Sequence, residues 1–88
     1  MPYIAQQVRT RLHMPIDNIL ACLLELDEQD RDGAINYIIT KILIYSFKDK
    51  YIKYERAIGL LESVKLEFYR RAVTEYENRK IKDNGDVY

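Results

Sequence analysis

One cysteine, one histidine and no tryptophan among 88 residues leave this chain little material for specialised chemistry. Cys22 cannot form an intrachain disulfide, and its setting in the apolar run 19–24 reads it as a small buried hydrophobe. His13 cannot build a histidine-rich metal site, and it leaves triad chemistry one fixed choice of base. Only two prolines and three glycines interrupt the chain, which leans its composition toward helix. Charge of neither sign is in excess: 14 Lys and Arg balance 14 Asp and Glu. The global attraction that drives non-specific binding to nucleic acid or anionic membranes is therefore missing, and nucleic acid is disfavoured as a partner. Runs such as 19–24 and 42–45 fall far short of the ~20 apolar residues needed to cross a bilayer. The first residues lack the basic start and apolar stretch of a signal peptide, so no membrane association and a cytoplasmic location are expected.

Hydrophobic residues make up 48% of the chain and charged residues 32%, which suits one small globular helical domain over residues 1–88. A chain of this size buries only about 60–65% of the surface it exposes when unfolded, which disfavours a large internal active site. Pro15 fits the first position of a helix, and Ile16, Ile19, Leu20, Leu23, Leu24 and Leu26 follow at three-to-four spacing, predicting a helix over 15–26. Residues 6–12 offer one or two further turns. A polar loop, 27–33, follows, in which Asp30 or Asp32 can cap the next helix. Ile35, Ile38, Ile39 and Ile42 share one helical face, predicting a second helix over 34–47. The last helix is predicted from Tyr54 to about Ile81. Its apolar stripes are Ala57, Leu61, Val64, Phe68 and Ala72 beside Ile58, Tyr69, Val73 and Tyr76. Ion pairs Glu67–Arg71 and Glu75–Arg79 are expected on its exposed side. Asn84-Gly85 supplies a left-handed stop, after which Val87 or Tyr88 is expected to fold back onto the helix.

The chemistry-bearing patterns are sparse. Asp27, Glu28, Asp30 and Asp32 imitate a calcium loop only in part: counted from Asp27, the sixth and twelfth positions hold Asp32 and Ile38 where Gly and Glu are required. No phosphate-cradling glycine loop, nucleophile elbow or paired-histidine zinc motif is present. Eight tyrosines stand out against two phenylalanines. Some replace phenylalanine in the packing, with their hydroxyls reaching water. Others, beside Arg and Lys, can form a surface for a partner or for stacked bases and phosphates. Lys65, Tyr69, Arg70, Arg71 and Tyr76 with Glu62 fall near one stripe of the last helix. Gly59 and Ser63, four apart, predict a close approach of another helix. Residues 15–36 hold six acids against Arg31, whereas 41–56 hold five bases against Asp49 and Glu55; two copies could pair through such opposed patches.

The stretch Ile35-Asn36-Tyr37-Ile38-Ile39-Thr40-Lys41 and the later Leu61-Glu62, Lys65-Leu66-Glu67-Phe68-Tyr69-Arg70-Arg71, Tyr76-Glu77 and Asn84-Gly85-Asp86-Val87-Tyr88 resemble a family of small helical proteins of unknown function from phages and other prokaryotic sources. Met1-Pro2-Tyr3-Ile4 matches as well, so the resemblance spans nearly the whole chain, with its tail the most specific piece. The family pattern carries Cys where this chain has Ser63, so a role for that thiol does not transfer. The resemblance implies a phage or prokaryotic setting, with a host-cytoplasm location if phage-encoded, and directs attention to Asn36, Tyr37, Glu62, Arg70, Arg71, Asn84 and Asp86.

Together these readings predict an all-α bundle of three to four helices with a long C-terminal helix and a short ordered tail. The expected function is non-catalytic binding with self-association into a homo-oligomer and no cofactor, through Asn36, Tyr37, Glu62, Lys65, Tyr69, Arg70, Arg71 and Tyr76. Length supports self-association: residues 54–81 span about 42 Å as a straight helix, more than the roughly 30 Å diameter of a compact globule of this size. The alternatives are capture of a small nucleotide ligand, with Tyr rings on the base and Lys65, Arg70 or Arg71 on phosphate, and a small enzyme using Glu62 or Glu67 as acid and base.

Overall fold

A computed structural model describes residues 4–88. It is all-helical, with no strand among the described residues. Two compact units make up the chain, the first ending at Ser46 and the second covering Phe47–Tyr88.

The first unit is a helical hairpin of α1 (Gln6–Leu24) and α2 (Glu28–Ser46). Helix α1 starts nine residues before the predicted position, and Pro15 lies inside it. Proline removes only the one hydrogen bond to the carbonyl four residues earlier, and the turns on either side continue the helix through Val8, Leu12, Ile16 and Ile19. Helix α2 likewise starts earlier than predicted. Glu28 and Asp30 occupy its first turn, where their charge meets the positive end of the helix dipole, and neither Asp30 nor Asp32 precedes the helix as a cap. The Asp27 carbonyl accepts from the N–H groups of Asp30 and Arg31, both at 3.0 Å. Arg31 ties the hairpin together: its Nε donates to the Leu23 carbonyl and its Nη2 to the Leu26 carbonyl, each at 3.0 Å. A cation thus meets the Leu23 carbonyl at the negative end of α1, which also accepts from the Leu26 N–H at 3.1 Å, and the Leu26 carbonyl just beyond it. Leu23, Arg31, Ala34 and Ile38 are half-buried, while neither helix has a fully buried residue. Cys22 is exposed, contrary to the buried position expected of it.

The second unit opens with a turn in which Asp49 takes a positive φ of 71°. Aspartate tolerates this left-handed conformation better than most residues because its short side chain can hydrogen-bond locally. Helix α3 (Tyr51–Phe68) runs through a π-helical turn, Tyr69–Val73, into α4 (Thr74–Asn84), giving 34 helical residues without a break. The Thr74 N–H donates to the carbonyl of Tyr69, five residues back, which marks the extra residue. That residue shifts the register, and of the two adjacent stripes read from the sequence Val73 in the second is half-buried while Ala72 in the first is exposed. Ala57 is the only residue fully buried among those described. Gly85 ends the helix at φ 85°, its N–H donating to the Ile81 carbonyl at 2.8 Å, as the Asn84-Gly85 pair predicts. Val87 and Tyr88, expected to fold back, are almost wholly exposed. A bond from the Tyr88 N–H to Asp86 Oδ1 at 2.9 Å turns the tail on itself. No close approach is made at Gly59 among the described residues: a methyl group there would meet nothing within 4 Å, and the Ser63 hydroxyl donates to the Gly59 carbonyl at 3.2 Å.

Candidate functional site

The eight residues singled out from the sequence divide between the two units. Asn36 and Tyr37 lie on α2, where each takes a local partner one turn on. Thr40 Oγ1 lies 3.2 Å from Asn36 Oδ1, and Lys41 Nζ lies 3.4 Å from the Tyr37 hydroxyl and 5.6 Å from its ring centre. Tyr37 remains mostly exposed.

The other six lie on the long helix. Lys65 donates to Glu62 Oε1 at 3.2 Å, an exposed pair worth little in stability. Arg70 and Arg71 both donate to Oε1 of Glu67, Arg70 at 2.6 Å, so two guanidinium groups share one carboxylate. The Arg71 bond first, then the Arg70 bond, holds the Glu67 carboxyl below its ordinary range. Of the two ion pairs expected on this helix, Glu67–Arg71 forms; Glu75 and Arg79 make none among the described residues. Glu67, central to this cluster, was not among the binding residues predicted, although its spacing from Arg71 signalled it.

Tyr69 donates its hydroxyl to Glu77 Oε1 at 3.0 Å, across eight residues. In an unbroken α-helix residues eight apart are turned about 80° from each other, whereas the extra residue of the π turn brings Glu77 nearer the face of a seven-residue partner. Donation to the Glu77 carboxylate, reinforced by its negative charge, raises the Tyr69 hydroxyl above its ordinary value. Nothing in the sequence announces the π turn, so this pair was not legible there. Tyr76 is half exposed, with Lys80 Nζ 5.5 Å from its ring centre. Tyr76, Glu77, Lys80 and Ile81 line an open groove of about 380 Å³ completed by the tail from Asn84 to Tyr88. The site therefore consists of exposed ion pairs and half-exposed rings along one helix. No group of three or more His, Cys, Asp or Glu could hold a metal ion among the described residues, and no helix is long and apolar enough to cross a membrane.

No curated protein and no solved structure matches the chain. A family model does match, over residues 1–87, and the chain belongs to that family, the domain of unknown function DUF6899.

Proposed function

We propose that this protein works by binding rather than by catalysis, as a small helical protein that associates with copies of itself in a phage or other prokaryotic setting, in the cytoplasm. One observation carries the reading: both units leave large apolar and aromatic side chains in water. Leu12, Leu20 and Ile42 in the first unit and Ile58, Phe68 and Tyr76 in the second are each at least two-fifths exposed. Exposed apolar surface marks an interaction site where it forms a continuous patch, and large side chains recur at this exposure along every helix. The two arginines that bond Glu67 hold its carboxyl below the ordinary range, which disfavours Glu67 as a proton donor. Light scattering on the full chain tests the reading: the expected mass is a multiple of 10.5 kDa, and a monomer at high concentration and low salt overturns it.

A second reading, capture of a small nucleotide, is favoured by Tyr76 with Lys80 over its ring beside an open groove. A thermal-shift screen with nucleotides and cyclic nucleotides distinguishes it. A ligand present at 100 times its dissociation constant adds about 2.7 kcal/mol of stability.

A further inference from the structure

The π turn at Tyr69–Val73 is where the long helix departs from α geometry. Such turns are rare interruptions of the ordinary α register, so one that persists needs a contact that the α register would lose. Most side-chain contacts on this helix make no such distinction. Glu62–Lys65, Glu67–Arg70, Glu67–Arg71 and Tyr76–Lys80 join residues three or four apart, as an unbroken helix allows.

The bond from the Tyr69 hydroxyl to Glu77 Oε1 is different, because it starts on the first residue of the π turn and ends beyond its last. Eight steps of an unbroken α-helix leave Glu77 about 80° from Tyr69. With the inserted residue taken out of the count, seven steps return to within roughly 20°. Eight residues also rise about 12 Å, close to the combined reach of the two side chains, so no slack remains for the larger angle. In the α register Tyr69 would share its face with Val73 and Tyr76, four and seven residues on, and the bond to Glu77 would be lost. Glu77 also lines the open groove with Tyr76, Lys80 and Ile81. One carboxylate therefore joins the register of the helix to the groove carried beyond the turn.

We propose that the Tyr69–Glu77 bond is a latch that holds the π register, and that opening it lets residues 69–73 relax to α-helix, turning α4 and its groove by about 100° about the helix axis relative to α3. The latch lies within one unit and is independent of how copies of the chain associate. Hydrogen-bond scalar couplings, read by NMR on the isotope-labelled full chain, test it because they name the carbonyl that accepts from each N–H. In wild type the Thr74 N–H should couple to the carbonyl of Tyr69, five residues back. Tyr69→Phe keeps the ring and removes the donor, while Glu77→Ala keeps the donor and removes the acceptor. In both variants the coupling should move to the Arg70 carbonyl, four residues back, with helix content by circular dichroism unchanged. If one variant loses helix content, the other decides on the same readout. A wild type whose Thr74 N–H couples to Arg70 overturns the π register and the latch with it. A coupling that stays on the carbonyl of residue 69 in a folded variant means that another contact holds the turn, and overturns the proposal.

Discussion

Gly59 stands in a helix interior with open space where a side chain would be, and its carbonyl already holds the Ser63 hydroxyl. Gly59→Ala should therefore raise stability by up to about 1 kcal/mol, read as a higher melting temperature by circular dichroism. Arg31 has the opposite character, since its guanidinium holds one carbonyl at the end of α1, Leu23, and one in the turn after it, Leu26. Arg31→Ala should cost roughly 1–2 kcal/mol, and Arg31→Lys should recover little of it, because an ammonium lacks the planar fork that reaches both carbonyls. Glu67 ties stability to pH. Its folded pKa lies below the unfolded value, so its contribution is present above the unfolded pKa and is lost as pH falls through the folded one. Melts of wild type and Glu67→Gln should differ at neutral pH and converge in acid. Tyr69 has the reverse sign: its raised pKa gives a contribution present below the unfolded pKa and lost as pH rises through the folded one. At this scale the sequence was informative wherever a residue's backbone freedom is intrinsic, as at Gly85. It was silent where a long side chain decides the contact, as with Arg31 reaching back eight residues to Leu23.

The π turn governs the long helix. Removing Ala72 should convert Tyr69–Val73 to ordinary α-helix and leave the faces on either side in their present phase, because the turn amounts to one inserted residue. Helix content by circular dichroism should then hold and the melting temperature should not fall. One alanine inserted in the middle of α3 should instead rotate the two halves by about 100° and separate Phe68 from the stripe before it. Helix existence and type were legible in the three-to-four spacing of Ile16 to Leu26, Ile35 to Ile42 and Ala57 to Phe68. Starts were not. Pro15 reads as a first position although one missing donor does not stop a helix, and the acids of 27–33 read as a loop although first-turn acids favour helix. The π turn depends on a backbone register that side-chain periodicity does not encode, so the sequence named both Ala72 and Val73, in adjacent stripes, without showing that Val73 is the half-buried one.

Across the whole chain, the feature that needs explaining is the apolar and aromatic surface left in water by both units, with Ala57 alone fully buried among the described residues. The aromatic part of this was legible as eight tyrosines in a chain with no tryptophan. How the candidate residues divide between partner and ligand was not legible, because Arg70 and Arg71 already share Glu67, and Asn36 and Tyr37 have neighbours of their own on α2. A protein built this way should be carried in cells as an assembly. Native mass spectrometry of the full chain purified from its expressing cells, sprayed from a low-salt volatile buffer, reads copy number and any retained small molecule together. The account predicts two or more copies of the 10.5 kDa chain with no added mass; a bare monomer across the accessible concentration range would contradict it.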